Sequence, residues 1–212
     1  MFAHGKTTLR WIIAGAAIAI MTGCASFLPK PAPLPDYYIL TAVPEAERSR
    51  PAGEMRAGPI VGVARVSLPD YLETPEIVVR TTRNTLDKAS LHNWAAPLED
   101  NFAGVLADNL GVMIPTVRVT TLPGELFFRP DVQVSVDVSK FERDVEGLVT
   151  LVARWALFGQ DGQELIVTQR SVFQQPAPAD NYDAIVAAMS TTLARLSAEI
   201  AAAIGSRRLP GV

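Results

Sequence analysis

Apolar and polar positions follow three rhythms along this chain, and each marks a different kind of segment. The first is an unbroken apolar run from Trp11 to Met21, 11 residues long. As a helix it would reach roughly 16 Å, about half of a ~30 Å hydrocarbon core, which is too short to span comfortably.

The second rhythm has period two. Tyr37-Tyr38-Ile39-Leu40 opens a short β-rich run, and the polar, Pro- and Gly-containing stretch from Val43 to Gly58 reads as a loop. Pro59 to Val66 predicts a strand that ends at Leu68-Pro69-Asp70-Tyr71. Ile77 to Thr82 predicts another, Thr85 to Leu91 a short one, and Val117 to Thr120 one more. Val132, Val134, Val136 and Val138 alternate with Gln133, Ser135, Asp137 and Ser139, the pattern of a half-buried strand. Leu148 to Phe158, with Trp155 inside it, and Leu165 to Phe173 flank the turn pair Asp161-Gly162. Together these last three strands predict an antiparallel meander.

The third rhythm is helical. Leu98, Phe102, Val105, Leu106, Leu110 and Met113 share one face, with Glu99, Asp100, Asp108 and Asn109 largely away from it. Pro97 suits the first turn, and Glu99 and Asp100 complement the positive N-terminal end of the helix dipole. Near the C-terminus, Tyr182, Ile185, Val186, Met189, Leu193, Leu196, Ile200 and Ile204 recur at three- and four-residue steps. Asp180 or Asn181 caps that helix, Gly205 closes it, and Arg207-Arg208 follow. The expectation is an α+β fold: a single domain with a mainly antiparallel sheet packed with two main helices.

The ending of the first apolar run changes its meaning. Lys6 and Arg10 precede it, and Met21-Thr22-Gly23-Cys24 follows. A charged start, a short apolar centre and small residues at the end describe an export signal, and a cysteine in the last place resembles a lipobox. Cys24 is the single cysteine of the chain, so no internal disulfide is available to it in an oxidising compartment. Thioether lipidation at Cys24 is the expectation, with residues 1–23 removed. Each buried CH₂ adds roughly 0.8 kcal/mol, so several acyl chains anchor firmly. Four prolines between Pro29 and Pro35 then favour an extended tether over residues 24–36. The folded domain is expected over residues 37–208.

Charge narrows the partners. The whole chain carries 19 basic and 22 acidic residues, net −3; loss of Lys6 and Arg10 leaves 17 against 22, net −5. A mildly acidic domain without a basic, aromatic-interleaved face has no footing for nucleic acid.

Candidate chemistry is sparse. After cleavage His92 is the single histidine, and it is read as a structural or surface residue at a helix entry rather than as a general base. Cysteine–histidine zinc sites are excluded by count, and no acidic loop has calcium-binding spacing. Gly5-Lys6-Thr7-Thr8 looks like the end of a phosphate-binding loop, but the first glycine of that motif would precede the first residue. Glu73, Glu76, Glu142 and Asp144 are read as solvated surface charge. No catalytic residue, metal ligand or cofactor is expected.

Apolar anchors near loops are the remaining signal. Leu68-Pro69-Asp70-Tyr71-Leu72 and Trp94-Ala95-Ala96-Pro97-Leu98 have the composition of interface anchors, which makes Tyr71, Leu72 and Trp94 candidate partner-contact residues, with core packing as the alternative. A direct lipid-binding role would need an apolar cavity of a few hundred Å³.

These same segments carry a resemblance. Tyr37 to Leu40 after a proline-rich tether, Val66 to Leu72 followed by Ile77 to Arg80, and Trp94 to Leu98 leading into Val105 to Leu110 resemble the PqiC-type auxiliary lipoproteins of ABC transport systems. Phe141-Glu142, Gly147 to Leu157 and Tyr182 to Ser190 continue the likeness in order. The resemblance implies an α/β domain without enzymatic activity, held by its lipid on the periplasmic side of the outer membrane. It also implies an MCE-domain protein as partner, in a system that carries phospholipids or other hydrophobic molecules between inner and outer membranes. Ala25, after the lipidated cysteine, agrees with the outer membrane, because it is not the Asp that commonly retains lipoproteins in the inner one. Alternatives are an outer-membrane assembly or envelope-scaffold lipoprotein and a hydrolase built on His92. A homo-oligomer is left open.

Overall fold

In the computed structural model, which describes residues 33–44, 59–114, 118–122 and 129–206, the apolar run that starts at Ile60 forms an interior strand of the sheet with a parallel neighbour on each side. This strand, β2 (Ile60–Ser67), has Val61, Val63 and Val66 with no exposed surface. Strand β1 (Asp36–Tyr38) precedes it. After it come β3 (Glu76–Thr82), β4 (Thr85–Trp94), helix α1 (Leu98–Met113) and β5 (Arg118–Thr121). The chain ends with β6 (Val132–Arg143), β7 (Leu148–Phe158), β8 (Leu165–Pro176) and helix α2 (Tyr182–Gly205).

The eight strands make one sheet in the order β1-β4-β3-β6-β2-β5, with β7 and β8 continuing from β6. β6 explains this branching. Strand β7 pairs with it from Gln133 to Arg143 and so fills one edge. The opposite edge takes β2 along Val132 to Asp137 and then β3 at Arg143.

The sheet is mixed, which corrects the expectation of a mainly antiparallel one. β1/β4, β2/β5, β2/β6 and β3/β6 are parallel, while β3/β4, β6/β7 and β7/β8 are antiparallel. Antiparallel neighbours in space here are neighbours in sequence, joined by short turns. Parallel pairs need a crossover, and the segment through β3, β4 and α1 supplies it between β2 and β5. Strand periodicity does not report such long-range pairings. The near-continuous apolar run of β2 was the one local sign of a strand enclosed by parallel neighbours.

Both helices and the β6–β7–β8 meander stand where the sequence placed them. β1 is shorter than expected, and β4 is longer, so His92 lies within a strand rather than at a helix entry. The segment 1–23, Cys24, the tether to Ala32, residues 45–58, Val117 and Arg207-Arg208 lie outside the described residues.

One layer of helices covers the sheet. α1 packs on β2 and β5, α2 packs on β7 and β8, and the two helices pack together. Between helices and sheet lie Phe102, Leu106, Phe141, Leu151, Trp155 and Leu193, all at most 1 % exposed. Phe102 meets Phe141 edge-on at 5.5 Å. The Asn181 side chain accepts the Ala184 N–H at 2.9 Å and so caps α2. By length and composition α2 would suit a membrane span. Its apolar residues Ile185, Met189, Leu193, Leu196, Ile200 and Ile204 are instead buried in the core.

The segment after β1 is stapled across the helix pair. The N–H groups of Leu40 and Val43 donate to Asn101 and Asn109 of α1 at 2.7 and 2.8 Å, and that of Thr41 donates to Ser190 of α2 at 3.1 Å. Asn101 and Asn109 are two helical turns apart, about 12 Å, and three extended residues cover about 10 Å. The spacing of the acceptors therefore matches the reach of the backbone. Asn109, fully buried, also donates to Ser197 at 3.1 Å, tying α1 to α2.

Candidate functional site

Two segments far apart in sequence converge on one cavity of about 540 Å³. The first wall runs from Leu72 to Pro75, at the end of the 3₁₀ turn Asp70–Leu72, which is entered through Pro69 at φ −64°. Leu72 and Glu73 donate their N–H groups to the carbonyls of Pro69 and Asp70 at 2.8 and 3.1 Å, so the turn is closed on itself. The second wall is the corner between β4 and α1. There Trp94 N–H donates to Pro75 at 2.7 Å, Ala95 N–H donates to Tyr38 at 2.8 Å, and Pro97 begins the helix at φ −50°.

Leu68, Leu72, Trp94 and Leu98 present apolar surface from below, all nearly buried. Pro75 and Pro97 stiffen the sides, and Ala95 and Ala96, both exposed, complete the lining. Glu73 and Glu99 are the charged lining residues. A fixed apolar recess with a few polar groups is the usual form of a binding site.

Of the three residues singled out by sequence, the structure brings Leu72 and Trp94 together at this cavity. Tyr71 lies outside its lining. It is half-buried, and its hydroxyl donates to Glu142 Oε2 at 2.9 Å. Burial, and then the neighbouring Glu142 carboxylate, hold the Tyr71 phenol well above its ordinary pKa.

Glu142 overturns the reading of the carboxylates as solvated. It has no exposed surface, and Arg80 donates to its Oε1 through Nε and Nη2 at 3.0 and 2.9 Å. The Phe141 N–H supplies Oε2 at 3.1 Å. A buried carboxylate supplied at both oxygens satisfies the requirement for burying a charge, and its work here is to fix β3 and the 3₁₀ turn onto β6. The break in the alternation of β6 after Val138, where the register shifts, was the available sign.

Asp144 is also buried. Its burial would raise the carboxyl pKa, but N–H donors from Leu148 and Glu146, the Thr150 hydroxyl and the Lys140 charge outweigh that and lower it. These contacts close the β6–β7 turn, where Gly147 takes φ +84°, a left-handed backbone that favours glycine. Glu73 is exposed. Glu76 accepts from Thr74, and that hydrogen bond is the main reason its pKa is lowered.

His92 sits in an aromatic cluster. Tyr38 Oη and His92 Nδ1 are 2.9 Å apart, the imidazole stacks on Tyr182 at 3.8 Å and 14°, and Asp36 Oδ2 lies 3.9 Å away. The groups around it are two phenols and a carboxylate, an arrangement that joins β1, β4 and the start of α2. Among the described residues no three His, Cys, Asp or Glu side chains cluster as metal ligands.

The chain is thus a mixed sheet under one helical layer, with an apolar recess beside the first turn of α1. The model of the family described as "ABC-type transport auxiliary lipoprotein component" matches residues 38–201, and the chain belongs to that family, of which the PqiC-type lipoproteins are members. It is 26% identical over 201 residues to the intermembrane transport lipoprotein PqiC of Escherichia coli K12, covering 95% of this chain and 99% of that one. The Shigella flexneri protein of the same name matches equally. Among solved structures, an uncharacterized protein superposes with a TM-score of 0.66 at 26% identity, over 81% of this chain and 99% of that one. A Xanthomonas campestris protein at 19% identity shares the fold, with a TM-score of 0.64 over 78% of this chain and 92% of that one.

Proposed function

We propose that this chain is a non-enzymatic auxiliary component of an MCE-type ABC system that moves phospholipids or other hydrophobic molecules between the inner and outer membranes. In this reading residues 1–23 direct export and are removed, and Cys24 carries the lipid. Residues 24–36 form the tether, and residues 37–208 form the docking domain. The mature protein is held on the periplasmic side of the outer membrane and works by contact with an MCE-domain protein.

The observation that carries this reading is the family match across residues 38–201, on a chain whose Thr22-Gly23-Cys24 has lipobox form. The relatives named for intermembrane transport support it over nearly their whole length. From Cys24 to Asp36, extended at about 3.1 Å per residue, the tether offers a reach of roughly 37 Å. The cavity of Leu72 and Trp94 provides the domain's contact site.

The test is isolation of the full, lipidated chain from detergent-solubilised membranes after chemical crosslinking. An MCE-domain protein recovered with it, and lost in Cys24→Ala, is the expected result. A β-barrel assembly or peptidoglycan-bound partner in its place would overturn the reading.

A further inference from the structure

We propose that the cavity between the Asp70–Leu72 turn and the Trp94–Glu99 corner receives a short basic segment of a partner protein. An aliphatic or aromatic side chain sits inside, with lysine or arginine on either side of it. This rests on the docking reading above and specifies the chemistry of the partner.

The shape comes first. About 540 Å³ lies within the range of roughly 300–1,000 Å³ over which preformed pockets hold ligands. Leu68, Leu72, Trp94 and Leu98 offer an apolar floor suited to a buried anchor of the kind that dominates interface energetics. Pro75 and Pro97 stand in the two walls, and the turn that leads into the first wall is held closed by its own hydrogen bonds. A rigid recess loses little entropy on binding, which favours a short segment.

The charge decides the occupant. Glu73 and Glu99 stand in the lining, and Asp70 and Asp100, both exposed, are close in sequence to the two walls. Among the described residues the lining holds no lysine, arginine or histidine. Lys88 stands at the rim, its Nζ 3.3 Å from Oγ1 of the lining residue Thr74, and its charge acts on Glu76. Two carboxylates in the lining against one ammonium at its rim leave a negative balance of side-chain charge. An anionic lipid headgroup placed there meets like charge, whereas a basic segment is drawn in and oriented.

Methyl-labelled full chain, lipidated and held in phosphatidylcholine nanodiscs, separates the occupants. Three probes are titrated: acetyl-Lys-Lys-Leu-Phe-Lys-Lys-amide, its counterpart with glutamate at every lysine, and short-chain dihexanoyl phosphatidylglycerol. The expected result is a shift of the Leu72 and Leu98 methyl signals with the basic peptide, at about tenfold lower concentration than with the acidic one. Glu73→Lys, at an exposed position, should reduce that preference several-fold while leaving the remaining spectrum in place. Equal responses to both peptides would overturn the charge selection and leave docking at the cavity standing. Shifts with the phospholipid alone would overturn both, in favour of a lipid site. Silence with all three would remove the cavity as a site, whereas membership in the transport system is decided separately by crosslinked co-isolation.

Discussion

Both Nε and Nη2 of Arg80 donate to the same oxygen of Glu142, at 3.0 and 2.9 Å, and the carboxylate they meet is wholly buried. Arg80 keeps about a quarter of its side chain in solvent. The pair fixes β3 against the end of β6, and Tyr71 extends it into the turn that walls the cavity. Breaking a buried pair leaves an uncompensated charge, so Arg80→Ala should lower stability by about 3 kcal/mol. Arg80→Lys should recover only part of this, because an ammonium cannot reproduce the planar fork. Urea unfolding of both variants measures the difference.

Asp144 gives the acid limb of stability a defined sign. Its folded pKa lies below the ordinary 3.8, so its contribution is present above that value and is lost as pH falls through the folded one. In Asp144→Asn the acid limb should be shallower, with lower stability at neutral pH because Lys140 loses its counter-charge and the donors on one side of the carboxylate lose their acceptor oxygen. Thermal unfolding between pH 2 and pH 7 reads both effects.

Asn109 is the joint of three elements. It accepts from Val43 and donates to Ser197 while having no exposed surface. Asn109→Ala leaves the Val43 N–H without its acceptor and should cost about 1–3 kcal/mol. Amide hydrogen exchange should report the loss first at Val43, before any change in the β6–β7–β8 meander.

Gly62 tests the packing of β2 where it runs between β5 and β6. A Cβ there would lie 2.9 Å from Leu122 Cδ1 and 3.0 Å from Pro130 Cβ. The proline ring cannot move aside easily, so Gly62→Ala should destabilise by about 1–3 kcal/mol. A melting curve of this single variant is sufficient.

The sequence was most legible where neighbours in the chain are also neighbours in space. The apolar repeat of α2 and the alternation from Val132 to Val138 are local patterns, and both appear as read. Parallel pairing of β2 with β5 and β6 joins strands separated by whole elements, and no local rhythm encodes it. At the cavity, Leu72 and Trp94 were visible as apolar residues near loops, but their meeting depends on the Trp94–Pro75 hydrogen bond across the sheet edge. The same limit hid Glu142. A carboxylate is read as solvated until Arg80, 62 positions earlier, is seen to lie against it.

The mooring at Cys24 underlies the whole functional account, and mass spectrometry of the mature chain recovered from membranes tests it most directly. The account predicts that the first residue is Cys24, with a thioether-linked diacylglyceryl group on its sulfur. A mature chain with a free Cys24 thiol, recovered from the soluble periplasmic fraction, would contradict it.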